Sequence, residues 1–525
     1  MGFQPKIRAA KLALALVGAA AEDAGFEVLF ETSNASFANH CAPLPDDPRL
    51  AALSGGTFLQ PGVGQFELNG IEFQSALDAF GRITALHIED GEICASGKML
   101  TSKFYETSIA SGTVAKGLFF ADTVPPTRPC PLLKPMCNMA WGAPNDNVFV
   151  NTVAVDSREK VYAVTDSPTW QELDLASLNI TGAHAWAPGL SYFAHGMLGS
   201  AHPLPLPGGG GAVVDFQTEM GPAGTTMRVY SVDTADATKR STLAKFKPAD
   251  ALRDKSAWTP YVHSFGLLPE AAVFPLSPIH VDVKPMVETG LMESAFGTVP
   301  SLANASLFVL APFDGSDVKG TKTFRVDRPN YFLHTLNVFW NGTTVVVDCT
   351  VASEDPFKGP NVRLDVMRNK TLRDRVVNTD ANMRVIRFRL FEDGTVAQET
   401  LSAPGRSTDF TKINVEYAAQ DYCYYYGIEW GHDLESYGSM AVVKQDLCAG
   451  VAKHWHRPGW FPGEASFVPT GGTNEDDGVL VFVALHGANR TSSFVVADAT
   501  TMDTIFEYEL PAFVPFPTHG QFFAF

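Results

Sequence analysis

Leu336-Asn337-Val338-Phe339-Trp340, then Asn341-Gly342-Thr343, then Thr344-Val345-Val346-Val347-Asp348 form the stretch on which the reading of this chain turns. Two runs of β-branched and aromatic residues flank an Asn-Gly pair. A tight hairpin turn needs positive φ at its centre, which glycine accepts freely and asparagine tolerates. The stretch predicts an antiparallel hairpin with a type I′ turn centred on Asn341-Gly342. Asp90-Gly91 and Asp393-Gly394 repeat the signal. Working outward, residues 161–164, 212–216, 227–232, 306–310, 478–485 and 493–497 read as further short strands between turn signals, and helical patterning is confined to patches such as 364–378. The expectation is an all-β, mostly antiparallel protein. Many short strands with no Gly/Ser-rich linker between them suit either a propeller or a pair of sandwiches, and there is no fixed-period repeat of the WD or kelch kind to choose between them.

Composition narrows the function. Of 525 residues, 45% are hydrophobic and only 18% charged, against about 25% in an ordinary soluble protein, so a large apolar interior is expected. A net charge of −18 argues against nucleic acid, whose binding rests on neutralising phosphates with Lys and Arg. Seven cysteines include no C-x-x-C pair, which removes zinc ribbons and thioredoxin motifs, and their odd number leaves at least one thiol free. There is no G-x-S-x-G elbow or H-E-x-x-H motif, and the Gly208–Gly211 run lacks the Lys-Ser/Thr of a phosphate loop. Glu475-Asp476-Asp477 lacks the alternating oxygens of a calcium loop and reads as a solvated turn. His454-Trp455-His456 offers two imidazoles to a surface metal and reads as structural.

Four of the thirteen histidines stand in similar settings, each at the edge of a predicted strand: Ser200-Ala201-His202-Pro203, Tyr261-Val262-His263-Ser264-Phe265-Gly266, Phe332-Leu333-His334-Thr335-Leu336-Asn337 and Pro517-Thr518-His519-Gly520-Gln521-Phe522. They lie 61, 71 and 185 positions apart, too far for one helix, but blades arranged around an axis can bring them together. Taken singly, each also has a structural explanation. Imidazole suits iron, zinc and copper alike, so ligand type alone leaves the metal open.

The segments around His263 and His519, together with Glu464-Ala465-Ser466-Phe467-Val468-Pro469 and Glu475-Asp476-Asp477-Gly478-Val479, resemble signature stretches of the carotenoid cleavage oxygenase family. Gly25-Phe26-Glu27-Val28-Leu29-Phe30-Glu31-Thr32 and Asp146-Asn147-Val148-Phe149-Val150-Asn151 are similar to its animal branch of β-carotene oxygenases and the retinoid isomerase of the retinal pigment epithelium, and the likeness runs over 25–525. The resemblance implies a seven-bladed β-propeller, with a loop and short-helix cap over the face that bears one Fe(II) per chain, held by His202, His263, His334 and His519. It implies carboxylates behind three of these rings, at positions matching Asp166, Asp409 and Glu464. Two of those are aspartate where the family has glutamate. The carboxylate then sits about 1.5 Å further back unless the backbone moves in, so a bridging water, weaker iron binding or a plain turn role are alternatives. Another departure is Phe73-Gln74-Ser75-Ala76-Leu77-Asp78-Ala79, where only the Phe and Asp match.

The implied activity is oxidative cleavage of a conjugated C=C bond of a carotenoid or apocarotenoid by O2, giving two carbonyl products, with Tyr261 and Thr165 as candidate substrate-side residues. Pro129-Cys130 and Thr165 resemble features of the retinoid isomerase, so retinyl-ester isomerohydrolase chemistry is one alternative, and a non-catalytic apolar-ligand binder is another. The apolar, Pro-rich segment 123–144 and the segment 190–198 are expected to make peripheral membrane contact or line a ligand tunnel, with a buried loop as the competing explanation. Lys6, Arg8 and Lys11 before the apolar run 12–21 give residues 1–24 the layout of a secretory leader, ahead of a propeller domain over 25–525; a short surface helix is the alternative. No run of about 18 apolar residues predicts a membrane-spanning helix. Six Asn-x-Ser/Thr sequons begin at Asn34, Asn179, Asn304, Asn341, Asn369 and Asn489 and permit a secretory or endomembrane route, while plastid and cytoplasm stay open.

Overall fold

The computed structural model describes residues 22–115, 146–155, 160–187, 198–221, 224–253, 259–281, 296–299, 302–313, 320–357, 359–376 and 382–524. Seven antiparallel sheets follow one another and form the blades of a propeller. Blade one joins Phe37–Pro43, Gly56–Gln65, Phe80–Glu89 and Glu92–Met99 to Gln521–Ala524, which pairs with Gly56–Gln65 and closes the ring. Blade two holds Asn151–Val155, Lys160–Val164, Gln171–Leu173 and Ile180–Ala183, and blade three Leu204–Pro205, Val213–Gly221, Gly224–Val232 and Arg240–Phe246. Blade four holds Gly266–Leu268, Ala271–Leu276, Ser306–Pro312 and Lys322–Val326, and blade five Tyr331–Asn341, Thr344–Ala352, Arg384–Leu390 and Val396–Thr400. Blade six holds Ser407–Lys412, Tyr424–Trp430, Met440–Asp446 and Val451–His456. Blade seven holds Trp460–Pro462, Ser466–Pro469, Gly478–His486, Thr491–Asp498 and Thr504–Glu509.

Burial explains which strands the sequence announces. Gly478–His486 is covered on both faces by neighbouring blades and is apolar almost throughout, whereas the outer strand Val451–His456 is exposed at its start and polar on one face. Between blades the core is aromatic. Phe216, Phe265 and Phe274 meet at 5.4–5.6 Å between blades three and four, and Phe308, Phe332 and Phe388 at 4.9–5.7 Å between four and five. Such pairs add about 0.5–1.5 kcal/mol each beyond the area they bury.

The opening hairpin forms, with its turn one residue later than expected. Asn341 pairs with Thr344, so Gly342 and Thr343 are the central residues, and of these only Gly342 has positive φ, at 63°. That is the pattern of a type II′ turn, which wants glycine at its first central position. Asp90 and Gly91, at φ 51° and 77°, keep the type I′ pattern.

Other expectations change. The helical patch 364–378 is broken into Leu364–Met367, Lys370–Arg373 and the 3-10 turn Asp374–Val376, because Asn369 stops the first turn and caps the second by accepting from Leu372 N at 3.3 Å. Residues 377–378 lie outside the described residues. Glu475 and Asp476 are buried rather than solvated: Glu475 accepts from the backbone N–H groups of Cys423 and Tyr424, and Asp476 pairs with Lys444 of blade six. A lysine on an inner-sheet strand requires that counter-charge. Phe73 packs on Phe80 at 5.1 Å, and Ala76–Asp78 makes a 3-10 turn capped by Ser75.

Cys41–Cys94 and Cys423–Cys448 are disulfides, and Cys349 is a buried free thiol. No helix among the described residues is long and apolar enough to cross a membrane. Of the span 1–24 expected as a leader, residues 1–21 lie outside the described residues, as do the segment 123–144 with Pro129-Cys130 and residues 190–197, whereas Asp23 is buried and ion-paired with Lys370 and Arg373.

Candidate metal centre

Each blade delivers one polar side chain to the same end of the axis: His519 from blade one, Asp166 from two, His202 from three, His263 from four, His334 from five, Asp409 from six and Glu464 from seven. Local irregularities aim them. Tyr331–Asn341 shifts register on both sides of Thr335, next to His334, and Ser407–Lys412 does so between Asp409 and Lys412. A bulge of this kind turns a side chain out of the pleat. Within the second bulge Phe410 adopts φ 50°, a costly conformation for a bulky residue, and its ring lies 5.0 Å from His519 and 5.4 Å from His334.

The Tyr261 hydroxyl donates to Asp166 Oδ2 at 2.7 Å, and His263 points to the axis. Ser264 Oγ donates to Leu333 O and accepts from Thr335 N, gripping the backbone on both sides of His334. Gly266 lies so close to the inner strand of blade five that a Cβ there would sit 2.1 Å from Val338 Cγ2.

Three rings are held from behind. His263 Nδ1 lies 3.0 Å from both oxygens of Asp166, His334 Nδ1 donates to Asp409 Oδ1 at 2.6 Å, and His519 Nδ1 donates to Glu464 Oε1 at 2.9 Å. The two aspartates touch their imidazoles directly, so no water bridges the shorter side chains; the bulge at Asp409 supplies the missing reach. Among the described residues His202 has no carboxylate behind its ring. Its loop is fixed through Ser200, whose Oγ accepts from His202 N at 2.8 Å and donates to His263 O at 3.0 Å.

With Nδ1 donating, Nε2 is the unprotonated nitrogen of each held ring. Successive Nε2 atoms stand 3.0 Å (His202–His263), 3.2 Å (His263–His334) and 3.1 Å (His334–His519) apart. Lone pairs brought this close repel unless a cation lies between them. Five of the six ring pairs have centroids 4.3–5.0 Å apart, and only His263–His519 is wider, at 6.3 Å. That is the outline of four corners of an octahedron, and among the described residues no further ligand stands at the two neighbouring corners that remain. For adjacent corners, edges of 3.0–3.2 Å divided by √2 give metal–nitrogen lengths of about 2.1–2.3 Å. The set fits one divalent transition-metal ion, and the four nitrogens can hold it as neutral donors. Burial first, and then the neighbouring imidazoles, hold His202 and His519 well below the usual imidazole pKa. Burial pushes Glu464 up to about 7, against the pull of Lys412, whose Nζ lies 3.4 Å from it.

The centre opens into a cavity of about 230 Å³ with mostly apolar walls, including Phe30, Phe104, Phe149, Phe357 and Trp430. The short helices Phe26–Phe30, Lys103–Ser111 and Leu364–Met367 contribute to it, as a cap over this end of the propeller. Thr165 and Tyr261 both line it; Tyr261 is 2% exposed and meets Phe357 edge-on at 5.0 Å. The sequence reading missed Phe410, Lys412 and most of the apolar wall. A non-glycine residue at positive φ carries no mark in the sequence, and the wall comes from blades far apart in the chain.

The family model described as retinal pigment epithelial membrane protein matches residues 51–524. The chain is 25% identical over 488 residues to carotenoid cleavage dioxygenase 8, chloroplastic, of Arabidopsis thaliana, covering 89% of this chain and 80% of that protein. It is 22% identical over 519 residues to the mitochondrial carotenoid-cleaving dioxygenase of Pongo abelii, covering 89% of both. Among solved structures, a mutant of the Synechocystis apocarotenoid oxygenase superposes with a TM-score of 0.76 at 18% identity, covering 94% of this chain and 98% of that one.

Proposed function

Since this chain belongs to the carotenoid cleavage oxygenase family, we propose that it is an Fe(II)-dependent dioxygenase that cleaves one conjugated C=C bond of a carotenoid or apocarotenoid, each new carbonyl taking one atom of O2. The observation that carries this reading is the convergence of four imidazoles and three carboxylates, one from each blade, on the end of an apolar cavity. His202, His263, His334 and His519 would hold the iron. When bound, Fe(II) supplies the redox chemistry that lets O2 react with a polyene.

The protein's own residues do the rest. Neutral imidazoles leave the centre at charge +2. Asp166, Asp409 and Glu464 keep the Nδ1 protons of their histidines in place, which fixes ring orientation. The apolar wall excludes water and holds a rigid hydrocarbon so that one double bond lies beside the centre, and such positioning lowers a barrier by several kcal/mol. Thr165 and Tyr261 would face the substrate, and Tyr261 also braces Asp166.

Iron-loaded protein supplied with a carotenoid panel under 18O2 tests the proposal. Two labelled carbonyl products are expected. Cleavage that proceeds anaerobically, or turnover of a retinyl ester without O2, would overturn it.

On the same reading the propeller is one catalytic domain behind a leader that ends before Glu22 and Asp23, which pack into the fold, and the segments 123–144 and 190–198 give peripheral membrane access to an apolar substrate. Two disulfides, with all six sequon asparagines exposed, favour an oxidising secretory or endomembrane compartment. A mobility shift on glycosidase treatment checks that assignment.

A further inference from the structure

Blade six carries a second convergence of imidazoles, on its outer strands and outside the axial centre. In Tyr424–Trp430, Met440–Asp446 and Val451–His456, Glu429 is opposite Ala441 and Ala441 opposite His456, while Val443 is opposite His454. Side chains two apart on a strand share a face, so Glu429, His454 and His456 lie on the same side of the sheet. Ala441 presents only a methyl group between them, which leaves room for the Glu429 carboxylate to reach across. His432 arrives from the loop after Trp430, held by its backbone N–H to Ser439 O at 3.0 Å.

The geometry is that of ligands around a shared point. His432 Nδ1 lies 3.2 Å and His454 Nε2 3.1 Å from the same oxygen, Glu429 Oε2, and the two rings are 4.5 Å apart, within the range of the axial set. His454 Nε2 is buried and has no hydrogen-bond partner among the described residues: it is near the carboxylate oxygen but does not point along a hydrogen bond to it. Two donors that both bind a cation at about 2.0–2.1 Å stand roughly 3.3 Å apart when tetrahedral, and His454 Nε2 has the off-axis aim of such a donor, while His432 Nδ1 lies within hydrogen-bond geometry of the same carboxylate oxygen. Around the trio, Arg406 Nη1 contacts Glu429 Oε2 at 3.3 Å, and Glu22 Oε2 accepts from His456 Nε2 at 2.8 Å. The guanidinium opposes a dication and the second carboxylate offsets it, so the site is weaker than the axial one.

We propose that Glu429, His432 and His454 form a second metal site, for a zinc-class divalent cation, which clips the loop after Tyr424–Trp430 to the outermost strand of blade six. Cys423–Cys448 ties the opposite end of the same blade, joining the residue before Tyr424 to the turn before Val451. The site is independent of the chemistry on the axis.

The test uses full-length, iron-loaded protein and Zn2+ alone as the probe, with bound metal counted by mass spectrometry after dialysis against micromolar Zn2+. One zinc per chain is expected in addition to iron. It should be lost in Glu429→Gln and in His432→Gln, whose loop position makes misfolding a small risk, and retained in His519→Ala. X-ray absorption at the zinc edge should show two imidazoles, and Zn2+ should raise the melting temperature of the wild type but not of His432→Gln. Zinc content unchanged by His432→Gln, an edge spectrum without imidazole scattering, or zinc lost only with His519→Ala would each overturn the proposal.

Discussion

Three of the axial histidines and the fourth are held by different means. His263, His334 and His519 each give their outward ring nitrogen to a carboxylate, whereas His202 is restrained through its backbone, by Ser200. Ser200 is in turn supported by Asp215, a fully buried carboxylate in blade three that also accepts from Trp170 Nε1 at 3.2 Å and Tyr230 Oη at 3.1 Å. A carboxylate at the ring fixes tautomer and rotation together. A fixed backbone sets only where the ring begins, so His202 has the freer imidazole of the four.

Removing any one imidazole gives the largest break in this comparison. His334→Ala or His519→Ala should abolish metal retention and reduce cleavage to background, read by metal analysis and product yield.

Next comes the anchor of the fourth histidine. Burial raises Asp215 to about 7, so between about pH 4 and 7 the folded protein keeps a proton that the unfolded chain has released. That contribution to stability is fully present below about pH 4 and is lost as pH rises through 7, at up to roughly 1.4 kcal/mol per unit. Asp215→Asn should flatten the slope by a few kcal/mol across that window, seen in denaturant midpoints at pH 5, 6 and 7.

Smaller effects separate the three held rings. Glu464→Gln and Asp409→Asn should each weaken metal binding about 10- to 100-fold by competition with a chelator. Tyr261→Phe should be smallest, about fivefold or ~1 kcal/mol, because Asp166 keeps both contacts to His263 after losing the hydroxyl. Equal losses for Tyr261→Phe and Glu464→Gln would remove the ranking.

What was legible in the sequence follows the same division. His263 and His519 sit in segments where several neighbours have a task, from Ser264 gripping the next blade and Gly266 packed on Val338 to Thr518 donating to Phe149 O and Gly520 N donating to Glu464, and segments of that kind stand out in the chain. Strand hairpins were legible too, because turn chemistry is local. The turn at Gly342 slipped by one residue since Asn341 and Gly342 both accept the conformations that hairpins need. The burial of Asp476 was not legible, because its partner Lys444 comes from another blade, nor was the gathering of Glu429, His432 and His454, which depends on the register of three strands. Nor could the sequence say whether Asp409 reaches His334; that rests on a bulge with Phe410 at positive φ.

The pairing of Gln521–Ala524 with Gly56–Gln65 has a consequence for the order of events during biosynthesis. His519 lies two residues ahead of that strand, so ring closure and the arrival of the last imidazole are one event, spanning more than 450 residues of chain. A ribosome-bound nascent protein would carry most of its blades and no competent centre until translation has passed residue 524. A chain cut off ahead of His519 would therefore be an open, metal-poor polypeptide.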